Sequence, residues 1–600
     1  MTSGIAKGES LQDTASLWWA TSGPPDAAVV IVGEAWGSEE RARGGRPFVG
    51  QSGAELDRIL ADGGLRRDDI LCLNLHNGQP EGNDLGSLFE PGAATLAGLR
   101  PGPTMLAGLE RVNRQLDAHP RRLIIAAGNY PLWALTNVAG TGTDKGRRFP
   151  TGITSLRGSQ EFRVRHSISD RTSSTTPALP IIHPAAILRQ WHLRPLTVHD
   201  LRTRVPLVLG GPGWNRPVPY RFDSQPSFTR LVGQLSVWLH SRKELWLSAD
   251  IETKANSIIT CLGIADSADY ALCVPFVRLG EKREVLSYWS RSEETAILKL
   301  LDALFRAPHI RWIGQNFLYD YQYIHQEWGT VPRIAHDTLI AQNLLFPGTP
   351  KDLGHLSSLY CAHHRYWKDD SREWASTGTL EQHLLYNCED AARTWEIAAR
   401  QREVLDQTGL SRHWPFELFK FNLAWRMQRR GVRRDPKATA RVGAQIIERK
   451  LEVDRQLMQI IPQATLAESG IKSKKLWISS PKQQMWVLYD VWGLATQRDK
   501  KSKRPSLGKV AMQTLRDRYP RLKPFFELLA ESRSLGVIYS NTIQSKSEPS
   551  DGRVRGSFNP AGTETFRWSS SKNGFNRGMN MQNIPAGGDD WVDTSVEEAA

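Results

Sequence analysis

The stretch Leu245-Trp-Leu-Ser-Ala-Asp-Ile-Glu-Thr253 constrains the chain most, because it is an apolar run that ends in two carboxylates one residue apart. Side chains alternate along a strand, so Asp250 and Glu252 face one way while Ile251 faces the core. Two acids held this close repel each other, and a divalent cation is the economical partner. A solvated strand end is the plainer reading of an isolated Asp-x-Glu, so the residues further along the chain decide between the two.

Two more pairs lie downstream. In Gly314-Gln-Asn-Phe-Leu-Tyr-Asp320, Asn316 and Asp320 are spaced to share one face at a helix start. In Tyr386-Asn-Cys-Glu-Asp390, inside a helical pattern from Leu384 to Ala399, a phenol and a carboxylate project together. Asp-x-Glu, Asn-x3-Asp and Tyr-x3-Asp, in that order and within one domain length, resemble the DEDDy-type 3′-5′ exonuclease of proofreading DNA polymerases, an RNase H-like fold. The resemblance implies that Asp250, Glu252, Asp320 and Asp390 hold two Mg²⁺ or Mn²⁺ ions about 4 Å apart. It also implies that Tyr386 orients the attacking water and that Asn316 contacts DNA. His336-Asp337-Thr338 resembles a further segment of this family, placed before the helix that closes the domain.

A chain of 600 residues exceeds a single hydrophobic core, so three or four domains are expected. With 40% apolar and 23% charged residues, the composition is that of a soluble globular protein and large-scale disorder is not expected. The net charge of +14 points to a polyanionic partner, since Lys and Arg release counterions from phosphates. Cys72, Cys261, Cys273, Cys361 and Cys388 are scattered without a Cys-x2-Cys pair, which disfavours a zinc site or a disulfide framework. Met1 to Gly23 lacks the basic-then-apolar pattern of a signal peptide, and no long apolar run comes after it. The expectation is a soluble cytoplasmic protein without a membrane partner, in the host bacterial cytoplasm if phage-encoded.

Ahead of the exonuclease-like motifs, Ala27-Ala-Val-Val-Ile-Val-Gly33-Glu-Ala-Trp-Gly37 reads as a strand that breaks into a glycine-punctuated loop. Gly45-Arg-Pro-Phe-Val-Gly50 and an amphipathic helix from Ala54 to Asp62 come next. The strand-to-loop units Ile70 to Asn74, Leu123 to Gly128 and Pro180-Ile-Ile-His183-Pro succeed them. Strands alternating with helices predict an α/β sheet with its site at the strand ends. The combined pattern, over roughly residues 25 to 205, resembles the uracil-DNA glycosylase superfamily, in particular the branch at the head of some phage DNA polymerases.

By that resemblance Glu34 places a catalytic water, Phe48 stacks on an extruded base, Asn74 reads the uracil edge and His183 lies across the scissile bond. The iron–sulfur branch of the superfamily needs four cysteines here, and only Cys72 is present, so no cluster is expected. Trp36 also stands where a proline is usual. An active glycosylase and a retained DNA-binding module are both open.

Pro206 to Phe228 has the Pro/Gly density of an interdomain connection. Further on, Phe419 to Asp435 reads as an amphipathic helix stopped by Gly431 and followed by an extended piece. A helix ending Met-x3-Gly-Val-x2-Asp after an exonuclease domain resembles the entry to a family A polymerase thumb. Ser480-Pro-Lys-Gln-Gln484 resembles a thumb element, and Asp499 to Arg504 reads as a basic loop suited to phosphates or to solvent.

Thr563-Glu-Thr-Phe-Arg-Trp-Ser-Ser570 and Asn580-Met-Gln-Asn-Ile-Pro585 resemble the family A signature, with Phe566 in place of its usual glycine. The resemblance implies that Arg567, Asn580, Gln582 and Asn583 face the primer–template minor groove. The palm aspartates and nucleotide-binding helix of that family do not fit within Ala586 to Ala600.

The expected architecture is therefore α/β and multidomain. A glycosylase-like α/β sandwich spans 1–215, a linker 216–227, the exonuclease domain 228–406, a mostly helical thumb 407–545 and the start of a palm 546–600. The expected function is in DNA replication, with hydrolysis of DNA 3′ ends but no DNA synthesis by this chain alone. Its expected partners are primer–template duplex, a single-stranded 3′ end and, if the polymerase is split, a second polypeptide carrying the rest of palm and fingers. The rival readings are half of a split polymerase and a DNA-binding fragment with decayed sites.

Overall fold

The computed structural model describes residues 17–584 apart from 95–97, 139, 145–146, 166–172, 211, 216–219, 255–256, 371–375, 463–470, 472–475 and 500–503. The described residues fall into two compact units. One is drawn from Met1–Thr253, Ile259–Asn316 and Thr330–His413, and the other from Lys254–Ile258, Phe317–Gly329 and Trp414–Ala600. Among the described residues no helix is long and apolar enough to cross a membrane.

The first unit contains two sheets. In the N-terminal one the strands run in the order Ile70–His76, Val29–Ala35, Leu123–Ala127, Ser173–Ile181, Arg163–Arg165. The first four are parallel, and the last joins antiparallel. Val29–Ala35 and Leu123–Ala127 are central and are buried through their apolar runs, as parallel strands covered on both faces must be. One layer packs through Val30, Val32, Leu73, Leu109 and Trp133, and the other through Ile31, Leu56, Ile125, Ile181 and Leu201. This is the α/β sheet that the strand–loop alternation predicts.

The second sheet has the order Ile334–Asp337, Ile310–Gly314, Leu245–Lys254, Ile258–Ala265, Tyr270–Pro275, Arg221–Asp223. Its carboxylate-bearing strand, Leu245–Lys254, is therefore interior. The 28-residue helix Leu380–Gln407 packs on the sheet through Leu384, Cys388, Ala391 and Ala392 against Cys261, Ala265, Ala271 and Cys273. A capping box at Thr379 with Gln382 starts that helix.

The linker reading of Pro206 to Phe228 needs correction. Pro206 lies inside the helix Arg194–Leu209, Trp214 is buried, and Arg221–Asp223 pairs in parallel with Tyr270–Leu272 as an edge strand. Proline and glycine density signals a loop only where no apolar partner competes, and here Val208 and Trp214 enter the N-terminal core.

A buried polar seam joins the two sheets' lobes. Arg157, 1% exposed, forms an ion pair at 2.5 Å with Asp200, 0% exposed, and donates to Ser358 Oγ at 2.8 Å. The Arg204 guanidinium donates to Gln160 Oε1 and to the carbonyls of Ser358, Cys361 and Ala362. Gln160 and His364 exchange two further bonds, Gln160 N–H to His364 O at 2.9 Å and His364 N–H to Gln160 Oε1 at 3.1 Å.

The second unit is mostly helical. The helix Trp414–Arg430 ends at Gly431, with φ +60, and Val432–Arg433 then pairs with Arg553–Val554, which is the stop and extended piece that the sequence predicts. The helices Pro436–Ile460, Lys509–Arg518 and Lys523–Ile538 share a core of Val453, Leu457, Trp477, Leu488, Leu515 and Phe526. Ser480 to Gln484 opens the short helix Pro481–Met485 as expected. Lys500 to Lys503, the centre of the basic loop, and the stretch from Pro585 onward lie outside the described residues. Phe317–Gly329, which carries Asp320, belongs to this unit. Its Tyr321 meets Phe421 and Trp425 edge-on at 5.3 and 5.1 Å.

Asp200→Ala is expected to lower the stability of the first unit by about 3–5 kcal/mol, because it leaves the Arg157 guanidinium buried without its counter-charge. Denaturant unfolding followed by Trp fluorescence measures it. A loss below about 1 kcal/mol would show that the seam contributes little to stability.

Candidate active sites

Ser248 Oγ donates to the carbonyl of Ala391 at 2.7 Å, and Trp395 Nε1 donates to that of Trp246 at 2.9 Å. These bonds lock the strand Leu245–Lys254 against the helix Leu380–Gln407. They bring Asp390 to the strand end, where ligand oxygens of Asp250, Glu252 and Asp390 all lie within 4.8 Å of one another. Ile251, between the two strand acids, is buried as the alternation requires.

Two of the three carboxylates are held by named donors. Asn387 Nδ2 donates to Asp250 Oδ2 at 2.9 Å and to the Asp250 carbonyl at 3.1 Å. Trp367 Nε1 donates to Asp390 Oδ1 at 2.5 Å, and Lys368 Nζ donates to Asp390 Oδ2 at 2.6 Å. Asn387 stands inside the Tyr-x3-Asp motif, but the sequence pattern singles out only Tyr386 and Asp390 there. Trp367 and Lys368 carried no spacing signal, because they come from a loop about twenty residues upstream of Asp390.

The electrostatics follow from burial and crowding. Burial, and then the Asp390 charge, push the Asp250 carboxyl up to about 8. Burial together with Asp250 and Asp390 holds Glu252 well above the usual carboxylate range. Burial and the same three acids raise the Tyr386 phenol, which keeps its proton at neutral pH. Burial disfavours the Lys368 ammonium, but Asp390, Asp250 and Glu252 outweigh it and raise its pKa. Three hard oxygen donors that resist ionising together fit a divalent cation, which removes the repulsion.

Asn316 and Asp320 do not share a helix face. Asn316 has φ +52 and precedes the helix Leu318–Trp328, so the four-residue helical spacing does not apply to it. Asp320 is buried in the first turn of that helix and is not among the three carboxylates of the 4.8 Å cluster. Asp337 caps the helix Thr338–Leu345 by accepting from the N–H groups of Leu339 and Ile340, and His336 is bonded to Gln401, so this motif has structural work.

The N-terminal lobe has its own site. Glu34, Phe48, Asn74 and His183 line one cavity of about 260 Å³ together with Trp36, Glu40 and Arg189. Glu34 is the last residue but one of the first strand, Asn74 lies near the end of its neighbour, and His183 caps the helix Pro184–Arg189. Close approach requires glycine at two points. A Cβ on Gly33 would sit 2.5 Å from Asn74 Oδ1 and 2.6 Å from Phe48 Cζ, and one on Gly128, with φ +109, would sit 2.7 Å from Glu34 Oε1. Phe48 holds φ +57 and packs its ring 5.9 Å from that of His183.

Burial, partly opposed by Arg189, raises the Glu34 carboxyl to about 7. Burial and Arg189 lower His183 to about 4, and its Nδ1 accepts from Ala185 N–H at 3.1 Å, so the ring is neutral with its proton on Nε2. Arg189 was missed in the sequence, although it comes after the His-Pro element by a helical turn and a half.

Residues 20–202 match the uracil DNA glycosylase superfamily, and residues 254–406 match the 3′-5′ exonuclease family of A-type DNA polymerases. A type-4 uracil-DNA glycosylase of Thermotoga maritima is 35% identical over 88 residues, which is 15% of this chain and 42% of that protein. One from Archaeoglobus fulgidus is 28% identical over 174 residues, 29% of this chain and 72% of that protein. A solved structure, the POL domain of Pol1 from M. smegmatis in complex with DNA primer-template and dNTP, aligns with TM-score 0.41 and 18% identity. It covers 61% of this chain and 56% of that one. The chain thus spans less than half of the first glycosylase relative and little more than half of the solved polymerase chain. Its N-terminal part is a uracil-DNA glycosylase superfamily domain, followed by a 3′-5′ exonuclease domain, as the motifs implied.

Mn²⁺ affinity of the carboxylate centre is expected to rise with pH up to at least about 8, since a proton on Asp250 competes with the cation below that point and the raised Glu252 carboxyl adds to the competition. Titration of Mn²⁺ by electron paramagnetic resonance at several pH values measures it. An affinity flat from pH 6 to 9 contradicts the protonation of the free centre.

Proposed function

We propose that the chain is a metal-dependent 3′-5′ DNA exonuclease with a proofreading role, joined to a uracil-recognising N-terminal domain. The observation that carries the first part is the convergence of Asp250, Glu252 and Asp390 within 4.8 Å, with Tyr386 one helical turn before Asp390. We assign Asp250, Glu252, Asp390 and, from the family pattern, Asp320 as the ligands of Mg²⁺ or Mn²⁺. When bound, such cations supply an acidified water and neutralise charge on the departing 3′ oxygen.

The protein's own groups set the geometry. Asn387 fixes the orientation of Asp250, and Trp367 fixes that of Asp390. The protonated Tyr386 phenol is the hydrogen-bond donor that orients the nucleophile beside the scissile phosphate. DNA is the substrate this reading requires, and the net charge of +14 suits it.

A second activity is supported by the 260 Å³ cavity, whose walls present an amide, a neutral imidazole, an aromatic ring and a carboxyl group to one space. Asn74 pairs with the edge of an extruded uracil, Phe48 stacks on it, His183 Nε2–H faces the base carbonyl on which charge develops, and ionised Glu34 holds the water. No metal is needed for these steps.

The region from 407 onward is proposed as the thumb and palm entry of a family A polymerase. Its sequence signature folds as a hairpin of Gly556–Asn559 with Ser569–Lys572, with Arg567 exposed in the loop. Asn580 caps a turn by accepting from Gln582 N–H, Gln582 Nε2 donates to the Trp568 carbonyl, and Asn583 is exposed. Phe566 adopts φ +62, the left-handed conformation that the usual glycine of the signature provides freely. We assign Arg567, Asn580, Gln582 and Asn583 to duplex contacts.

Asp250→Ala is expected to slow degradation of 3′-labelled single-stranded DNA by at least about a thousandfold while leaving DNA affinity within a factor of about two. Tyr386→Phe should lose less, about ten- to a hundredfold. Retention of hydrolysis by Asp250→Ala overturns the assignment of this centre.

In the Asp250→Ala background, uracil-containing DNA is expected to yield alkali-labile abasic sites even in the presence of a chelator. The rate should fall about tenfold per pH unit below about 7 as Glu34 protonates, and flatten above it. Absence of abasic product reduces the domain to a binding module.

A further inference from the structure

The ammonium of Lys368 occupies the acidic centre. Its Nζ lies 2.6 Å from Asp390 Oδ2 and 4.5 Å from the centre of the Tyr386 ring, and its side chain is 27% exposed. The placement is built. Arg365 pairs with Glu389 and donates to Asp370 Oδ2 at 3.0 Å, which ties one end of the short segment to the helix that carries Asp390 and the other end back to Arg365. Between them Trp367, fully buried, takes the other oxygen of Asp390. Both carboxylate oxygens of Asp390 are thereby engaged by protein donors.

A divalent cation bound by Asp390 would lie beside the ammonium that Lys368 holds 2.6 Å from Oδ2, and two cations cannot crowd one carboxylate oxygen without strong repulsion. We infer that Lys368 is an intramolecular cation of the carboxylate centre, which holds it assembled without metal and must withdraw from Asp390 as the centre fills, so that it sets the metal concentration at which the exonuclease switches on. This inference rests on the carboxylate centre being the metal site. With one oxygen of Asp390 fixed by Trp367, withdrawal needs only rotation of the lysine's flexible stem toward solvent, on the side where it is exposed.

The test uses the full chain and Mn²⁺ as probe. Mn²⁺ dissociation constants are measured by calorimetry for wild type, Lys368→Met, Lys368→Arg and Asp250→Ala. Removing the competing charge in Lys368→Met should tighten Mn²⁺ binding about tenfold or more, while Lys368→Arg should stay near wild type. Equal affinities in wild type and Lys368→Met, both abolished by Asp250→Ala, overturn the lysine's role and leave the metal centre standing. Mn²⁺ binding that Asp250→Ala does not weaken overturns the metal centre itself and the inference with it. A second measurement needs no variant. Reductive methylation of wild type, followed by peptide mass spectrometry, should label Lys368 faster with Mn²⁺ present than with chelator. Labelling that is unchanged or slower with Mn²⁺ overturns the withdrawal.

Discussion

Three carboxyl groups within 4.8 Å of one another cannot all be ionised without a cation among them, and much of the first unit is arranged around that repulsion. The strand Leu245–Lys254 is interior to its sheet, so its acids cannot move apart. The helix Leu380–Gln407 is bound to it through Ser248, Trp246, Ala391 and Trp395, so Asp390 cannot move away. Only charge remains adjustable. The free protein lowers it by raising the pKa values of Asp250 and Glu252 and by presenting Lys368, and a divalent cation resolves it more completely.

The N-terminal cavity combines a neutral imidazole with a carboxyl group poised near neutral pH beside Arg189. His183 is half-buried near Arg189 and stays unprotonated, which leaves Nε2–H as a donor of fixed tautomer while Nδ1 is engaged by Ala185. Glu34 sits at a crossover near neutral pH because burial opposes its ionisation and Arg189 favours it. The two sites thus differ in electrostatic design, though both lie at the C-terminal ends of parallel strands.

The sequence made the strand acids, the Tyr-x3-Asp helix and the glycosylase-like loops legible because each is set by short-range periodicity. Asp250 and Glu252 flank a buried Ile251 as period two demands, and Asp390 comes one helical turn after Tyr386. Asn316 misled because its left-handed backbone breaks the helix that the spacing assumed. Arg221–Asp223 was hidden in a Pro/Gly-rich stretch because an edge strand of three residues owes its existence to Tyr270–Leu272 rather than to its own pattern. Lys368 and Trp367 were illegible for the same reason, since only the folded chain carries them to Asp390.

The seam and the carboxylate centre are connected through one stretch of chain. Arg204 binds the carbonyls of Ser358, Cys361 and Ala362, and Gln160 binds the backbone of His364, so the glycosylase-like lobe fixes the first half of the segment Ser358 to Asp370. Arg365 stands next to His364, lies 3.9 Å from Glu161 of the same lobe, and pairs with Glu389 beside Asp390. Trp367 and Lys368 come next and reach Asp390 itself. A loop left to its own entropy would lose about 1–2 kcal/mol per residue on adopting one conformation, a cost that the lobe's guanidinium and amide bonds offset in advance. The groups that hold Asp390 are therefore presented by a segment that the N-terminal domain has already ordered, which gives that domain a structural part in the carboxylate centre.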